Sequence, residues 1–222
     1  MHAQQKETVV NIEVSGGTVS GDLVIPTESR GIVLFAHGSG SSRHSPRNRH
    51  VAETLQRSEI ATLLFDLLTA DEERTDERTG ELRFDIELLA SRTIAALRWL
   101  HENDDTRHLP VGIFGASTGA AAALMAAAEH PTRVYAVASR GGRPDLARPQ
   151  LARVRAPVLL IVGGRDTEVL QLNREALALL PFEKELRIVE GATHLFEEPG
   201  ALDEVARMAA DWFRDHFAED IV

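Results

Sequence analysis

Between Pro110 and Ala128 the chain changes character three times. The apolar run PVGIF leads into Gly115-Ala116-Ser117-Thr118-Gly119, and the alanine-rich run AAAALMAAA follows from Ala120. The first run favours a strand and the last a helix. A G-x-S-x-G sequence joining a strand to a helix predicts a nucleophile elbow, a tight turn that lifts the serine hydroxyl above a sheet. Glycine suits positions 115 and 119 because a side chain at either would crowd that turn, and Ser117 is expected in a strained backbone conformation. The helix that opens after it presents partial positive charge and unpaired N–H groups, which favour a developing oxyanion. The same five residues also occur in ordinary glycine-rich loops. The flanking strand and helix, with partners placed in order downstream, decide for the elbow.

The rest of the chain supplies the sheet that such an elbow needs. Thr8 to Val14 and Thr18 to Ile25 read as a hairpin turning at Ser15-Gly16-Gly17. Gly31 to Ala36, Ile60 to Asp66, Val111 to Phe114, Arg133 to Ala138, Pro157 to Val162 and Glu185 to Val189 are short apolar runs that read as buried parallel strands. Helical spacing separates them, as in Ile86, Leu89, Thr93, Ala96, Leu97 and Leu100, and a terminal helix carries Leu202, Val205, Ala209, Trp212 and His216 on one stripe. Leu67 to Gly80, with its run DEERTDER, reads as a solvated loop. Strands alternating with helices predict a doubly wound, mostly parallel sheet with an N-terminal hairpin, in one domain over residues 1–222, of which 1–7 are expected to be flexible.

Composition excludes several classes of function. A formal net charge of −10 argues against nucleic acid and anionic membranes as partners. The absence of cysteine removes any disulfide framework, thiol nucleophile or thiolate metal site. H-E-x-x-H is absent and the histidines are scattered, so neither a metal nor a cofactor is expected. The N-terminal MHAQQKETVV lacks the apolar core of a signal peptide, and a cytoplasmic location is the default expectation.

Open parallel sheets place their sites at the carboxyl ends of the strands. Four loops there carry suggestive residues: Ser117, Asp166 in GGRDTE, His194 in EGATH, and the segment HGSG from His37. His194 can take the serine proton and return it to a leaving group, and Asp166 can fix the imidazole tautomer. Each has a rival. Asp145 follows the preceding strand, Asp66 ends an earlier one and more naturally bonds locally, His37 precedes the elbow and would order its own loop, and His216 lies on a helix face.

The motifs FGASTGA, VGGRDTE and GATHLF resemble the three triad loops of the α/β-hydrolase superfamily, in the order Ser, Asp, His. The compact layout without a lid is similar to the dienelactone-hydrolase-like branch. HGSGSSRHSPRN and SRGGRPDLA resemble a hydrolase domain also found fused to phosphoribosyltransferases in some bacteria. The resemblance spans about Thr18 to Phe217. It implies an oxyanion hole formed by the backbone N–H groups of Ser39 and Thr118. Dienelactone hydrolases proper use cysteine, which this chain lacks, so their lactone activity is not implied.

The expected activity is therefore that of a serine carboxylesterase acting on a small-molecule ester. Thioester cleavage and acyl transfer would use the same three residues, and a hydrolase-fold protein that only binds is a further reading. A dinucleotide-binding reading of GIVLFAHGSGSSR fails at Arg43, which occupies the third glycine position of that fingerprint. The stretch from Ser139 to Ala156 is too short for a separate cap, which predicts acyl groups of about two to four carbons. Arg43, Arg47, Arg140 and Arg143 fall in loops expected to meet near Ser117. They suit an anionic substrate, but the more ordinary reading is structural, with the arginines paired with acids such as Asp145 or facing water.

Overall fold

The computed structural model describes residues 5–218. Strands β1 (Gln5–Val14), β2 (Gly17–Pro26), β3 (Ile32–Ala36), β4 (Ala61–Phe65), β5 (Val111–Ala116), β6 (Ala136–Arg140), β7 (Val158–Gly163) and β8 (Lys184–Val189) form one sheet in the order β1-β2-β4-β3-β5-β6-β7-β8. The pairs β1–β2 and β2–β4 are antiparallel, and every pair from β4 to β8 is parallel. Residues 5–7, expected to be flexible, instead pair with Pro26, Ile25 and Val24. The first four residues lie outside the described range.

The central strands are apolar on both faces because helices cover both. Along β3, Ile32 and Leu34 face one layer while Val33 and Phe35 face the other; β7 repeats the pattern with Val158 and Leu160 against Leu159 and Ile161. The first layer holds α3 (Ile86–Glu102), α4 (Thr118–Glu129) and α6 (Thr167–Leu179). The second holds α1 (Pro46–Arg57) and α7 (Ala201–Phe217). Helix α4 is buried along its length except at Met125 and Glu129, which its alanines permit by keeping the side chains small. Its position under the first layer fixes where the elbow emerges.

Two further expectations from sequence need correction. The acidic and basic run is a helix, α2 (Ala70–Thr79), rather than a loop. It has no apolar stripe to announce it; a capping box of Thr69 and Glu72 starts it, three acids fill its first turn, and Gly80 ends it in the left-handed region. Its one buried residue is Asp76, which accepts bonds from Arg83 N at 3.0 Å and Arg83 Nε at 2.6 Å. The sixth strand runs three residues later than its apolar start suggests, because residues 131–133 turn after α4, so Arg140 closes β6 instead of lying in the loop beyond it. The segment that follows contains a short 3-10 turn, Pro144–Ala147, and one turn of helix, α5 (Arg148–Leu151). Neither forms a lid.

Burial pushes the Asp76 carboxyl upward, but the bonds and charge of Arg83 outweigh it and hold the group below its ordinary range. A depressed carboxyl contributes stability above its unfolded pKa and loses it as pH falls through the folded value. Asp76→Asn should therefore destabilise the protein at neutral pH by roughly 2–3 kcal/mol, and the difference from the parent should shrink below about pH 4. Urea unfolding at both pH values measures this. Equal losses at both would leave Asp76 without the ion-pair role.

Candidate active site

The elbow is the most constrained part of the site. Ser117 has φ 51° and ψ −122°, a conformation rarely adopted by a residue with a side chain. A Cβ on Gly115 would overlap the backbone of Ala120, and one on Gly119 would overlap the carbonyl oxygens of Ala36 and His37. The two glycines thus let β5, β3 and the start of α4 converge on the serine. At that helix start, the first-turn N–H groups, Thr118 among them, have no partner within the helix.

The loop after β7 brings Asp166 to His194, in the loop after β8: the imidazole Nδ1 lies 2.6 Å from Asp166 Oδ2. An aspartate accepts only, so Nδ1 carries the proton and Nε2 is left as the free base position. Asp166 is largely covered and His194 is partly exposed. The two loops are laced together, with Arg165 N donating to Ala192 O and Gly164 N to Val189 O, both at 2.9 Å. Asp145, the rival acid, instead accepts a bidentate pair of 2.8 Å bonds from Arg143 Nε and Nη2.

The segment from Arg140 to Arg143 connects Ser117 to His194. Ser117 N donates to Arg140 O at 3.2 Å, and Arg143 N donates to Ser117 O at 3.0 Å. Between them, Gly141 lies against the imidazole; a Cβ there would be 3.4 Å from ring atoms Nδ1 and Cε1.

The loop after β3 is held from both sides. His37 Nε2 accepts the N–H of Leu67 at 3.1 Å, and Nδ1–H donates to Gly38 O at 3.0 Å. That pattern requires the neutral ring, and burial lowers the His37 pKa accordingly. Asp66 receives Arg43 N at 2.9 Å and also the Arg43 guanidinium, while Arg43 Nε reaches Asp22 at 3.3 Å. Ser39 N donates to Thr118 Oγ1 at 3.0 Å, so the two residues of the expected oxyanion hole are in direct contact.

Of the four arginines, Arg43 and Arg143 are bound to acids. Arg47 stands in the first turn of α1, where Nη1 lies 3.7 Å from Glu197 Oε1. Arg140 is buried. Burial, with the nearby Arg47 charge acting in the same direction, brings its guanidinium down to about 10.

Sequence reasoning missed two supports of the site. Glu198 accepts the N–H of Thr193 with both carboxylate oxygens at 3.1 Å, fixing the residue before His194. Arg83, held by Asp76, reaches under the loop after β3 at Gly40. Their partners are backbone groups or distant in sequence, so no spacing rule marks them. Among the described residues no cluster of three or more His, Asp or Glu could hold a metal, and no helix is long and apolar enough to cross a membrane.

With a strained serine elbow at the carboxyl edge and a His–Asp pair on the two following loops, the architecture is that of an α/β-hydrolase. An α/β-hydrolase domain model matches residues 29–216, and the chain belongs to that family. It is similar to a dienelactone hydrolase from Anabaena variabilis, with 59% identity and a TM-score of 0.94 over 96% of this chain and 99% of that one. Est1E from Butyrivibrio proteoclasticus shares the fold, with a TM-score of 0.80 at 15% identity over 95% of this chain and 99% of that one. Two Mycobacterium tuberculosis proteins, from strains CDC 1551 and H37Rv and provisionally named phosphoribosyl transferases, are 61% identical over 89% of this chain. The chain spans 44% of the length of those relatives.

The overlap at Gly119 is with the main-chain oxygens of Ala36, at the end of β3, and His37, just beyond it, which cannot swing aside as a side chain would. Gly119→Ala should cost roughly 4 kcal/mol or more, read as a large fall in melting temperature or loss of folded protein. A variant that melts within a few degrees of the parent would mean that the elbow tolerates a wider approach.

Proposed function

We propose that the chain is a serine hydrolase that cleaves carboxylic esters through an acyl-enzyme. The observation that carries this reading is the 2.6 Å pairing of His194 Nδ1 with Asp166, linked through the segment from Arg140 to Arg143 to a serine held at φ 51° between two glycines. A structural serine gains nothing from such strain.

In the proposed reaction, His194 Nε2 accepts the Ser117 proton as Oγ bonds to the ester carbonyl carbon. Asp166 holds the tautomer and stabilises the imidazolium. The carbonyl oxygen becomes an anion facing the N–H groups of Thr118 and Ser39, each such donor being worth about 3 kcal/mol. Because the Ser39 N–H already meets Thr118 Oγ1, the oxyanion must share that donor with the hydroxyl or displace it. Collapse breaks the bond to the alcohol oxygen, which takes the proton from His194. Water then repeats the sequence, giving the carboxylic acid and restoring Ser117.

The cavity beside the loop after β3 is narrow, about 20 Å³, with Leu67, Leu68 and Leu89 in its wall and Asp76 and Arg83 at its margin. A cavity this small offers no apolar cover to a long acyl chain, which is consistent with a preference for short acyl groups. The name of the Anabaena relative refers to a lactone, a cyclic ester, which is consistent with ester chemistry.

Ser117→Ala should abolish ester hydrolysis with little change in melting temperature, and a serine-directed phosphonate should attach to Ser117 alone. Ser139 is fully buried, so a phosphonate adduct there or at Ser39 would sink the assignment. Asp166→Asn should lower kcat by about 10⁴, as an asparagine favours the wrong imidazole tautomer. Asp145→Asn should lower it far less, because its partner is Arg143. Across 4-nitrophenyl esters, kcat/KM should peak at about two to four acyl carbons. An optimum at long chains would contradict the narrow pocket.

A further inference from the structure

Among the described residues, Arg140 lacks the carboxylate partner that the other buried arginine, Arg92, has. Buried charges are normally paired and hydrogen-bonded, because removing an ion from water is costly. Arg92, equally buried, bonds to Glu72 at 2.6 Å and to Ser15 O at 2.8 Å. Arg43 and Arg143 likewise meet carboxylates. Arg140 is 8% exposed, yet among the described residues no carboxylate pairs with it and its Nη1 is buried with no hydrogen-bond partner.

Its charged neighbour is another cation. Arg47, from α1, lies close enough to disfavour the charge on Arg140, and the Arg47 Nε is also buried and unbonded. Both arginines belong to the same side of the sheet: Arg140 alternates along β6 with Ala138 and Ala136, which face the layer that contains α1. The one acid near Arg47, Glu197, is 67% exposed and 3.7 Å away, a weak surface contact. A nine-tenths-buried arginine with an unbonded donor, a second arginine nearby whose Nε is also unbonded, and no carboxylate on Arg140 among the described residues are what an oxyanion-binding site looks like when empty. The site adjoins the nucleophile, since the Arg140 carbonyl accepts the Ser117 N–H.

We infer that Arg140 and Arg47 form a subsite for a carboxylate or phosphate carried by the substrate itself. The inference rests on the hydrolase reading and narrows its substrate class to anionic esters. Arg43 and Arg143, bound to their own acids, are left to hold the loops.

The test compares kcat/KM for mono-4-nitrophenyl succinate and 4-nitrophenyl 3-phosphonopropanoate with that for neutral 4-nitrophenyl butanoate. The parent should favour at least one anionic ester, and the favoured one identifies the group as carboxylate or phosphate. Arg140→Gln and Arg47→Gln should each lower the anionic-to-neutral ratio by about 10- to 100-fold, the worth of a charge-assisted pair. Arg140→Lys should recover only part of it, lacking the planar fork. A ratio that stays within twofold in the parent and both Gln variants overturns the subsite.

Thermal melting makes the inference testable apart from catalysis. Inorganic phosphate or succinate should raise the parent's melting temperature saturably, and Arg140→Gln should lose that rise. In anion-free buffer Arg140→Gln should itself melt higher than the parent, because it removes an uncompensated charge; a purely structural arginine would make it melt lower. Arg47 is partly exposed, so Arg47→Gln keeps both measurements open if Arg140→Gln does not fold. If no ester is cleaved yet the anions still stabilise the parent through Arg140, the hydrolase reading fails and the subsite stands.

Discussion

The start of α4 comes so near to β3 that Gly119 has the carbonyl oxygens of Ala36 and His37 where a side chain would otherwise stand. That contact holds the nucleophile strand, the neighbouring strand and the helix at one point. It fixes the loop after β3 relative to Ser117, and so brings Ser39 within 3.0 Å of the Thr118 hydroxyl. The alanine-rich sequence of α4 follows from the same demand. A helix that begins this close to the sheet must continue close to it, and only small side chains allow that over three turns.

The remaining loops are tied to this point by main-chain bonds more than by side-chain contacts. Ser117 bonds to Arg140 and Arg143 through its backbone, Gly141 leans on His194, and the loops carrying Asp166 and His194 exchange amide bonds. Such lacing leaves little rotational freedom for the reacting groups, which is the condition for catalysis by preorganised positioning. Polar side chains then fasten the outer ends: neutral His37 joins Gly38 to Leu67, and Glu198 grips Thr193. The charge that this network leaves unsatisfied is at Arg140, whose carbonyl accepts the Ser117 N–H, and in a chain of net charge −10 no acid among the described residues is paired with it.

Much of this was legible from residue order. The elbow, the hairpin and the alternation of strands and helices in a doubly wound sheet follow from local apolar periodicity and glycine positions, which act over a few residues and can be read one window at a time. The α/β-hydrolase fold class was implied by the resemblance of FGASTGA, VGGRDTE and GATHLF to that family's loops. Helix α2 was missed because nothing apolar marks it; its stability comes from caps and from Asp76, whose partner Arg83 lies beyond the helix end. The start of the sixth strand was misplaced because the turn after α4 takes up Arg133, and the apolar run alone does not show that.

Sequence by itself determined that a serine would stand on a strained turn between a buried strand and a buried helix, and that an aspartate and a histidine would follow on later loops. Only the tertiary structure shows that Asp166, and not Asp145, reaches the imidazole, because that depends on how β6, β7 and β8 lie side by side. Only it separated four arginines of similar sequence setting into two bound closely by acids, one with a weak surface contact to Glu197, and one, Arg140, with no carboxylate among the described residues. The physical reason is the same in both cases: a charge is defined by what surrounds it, and its surroundings come from segments tens of residues away that the sheet brings together.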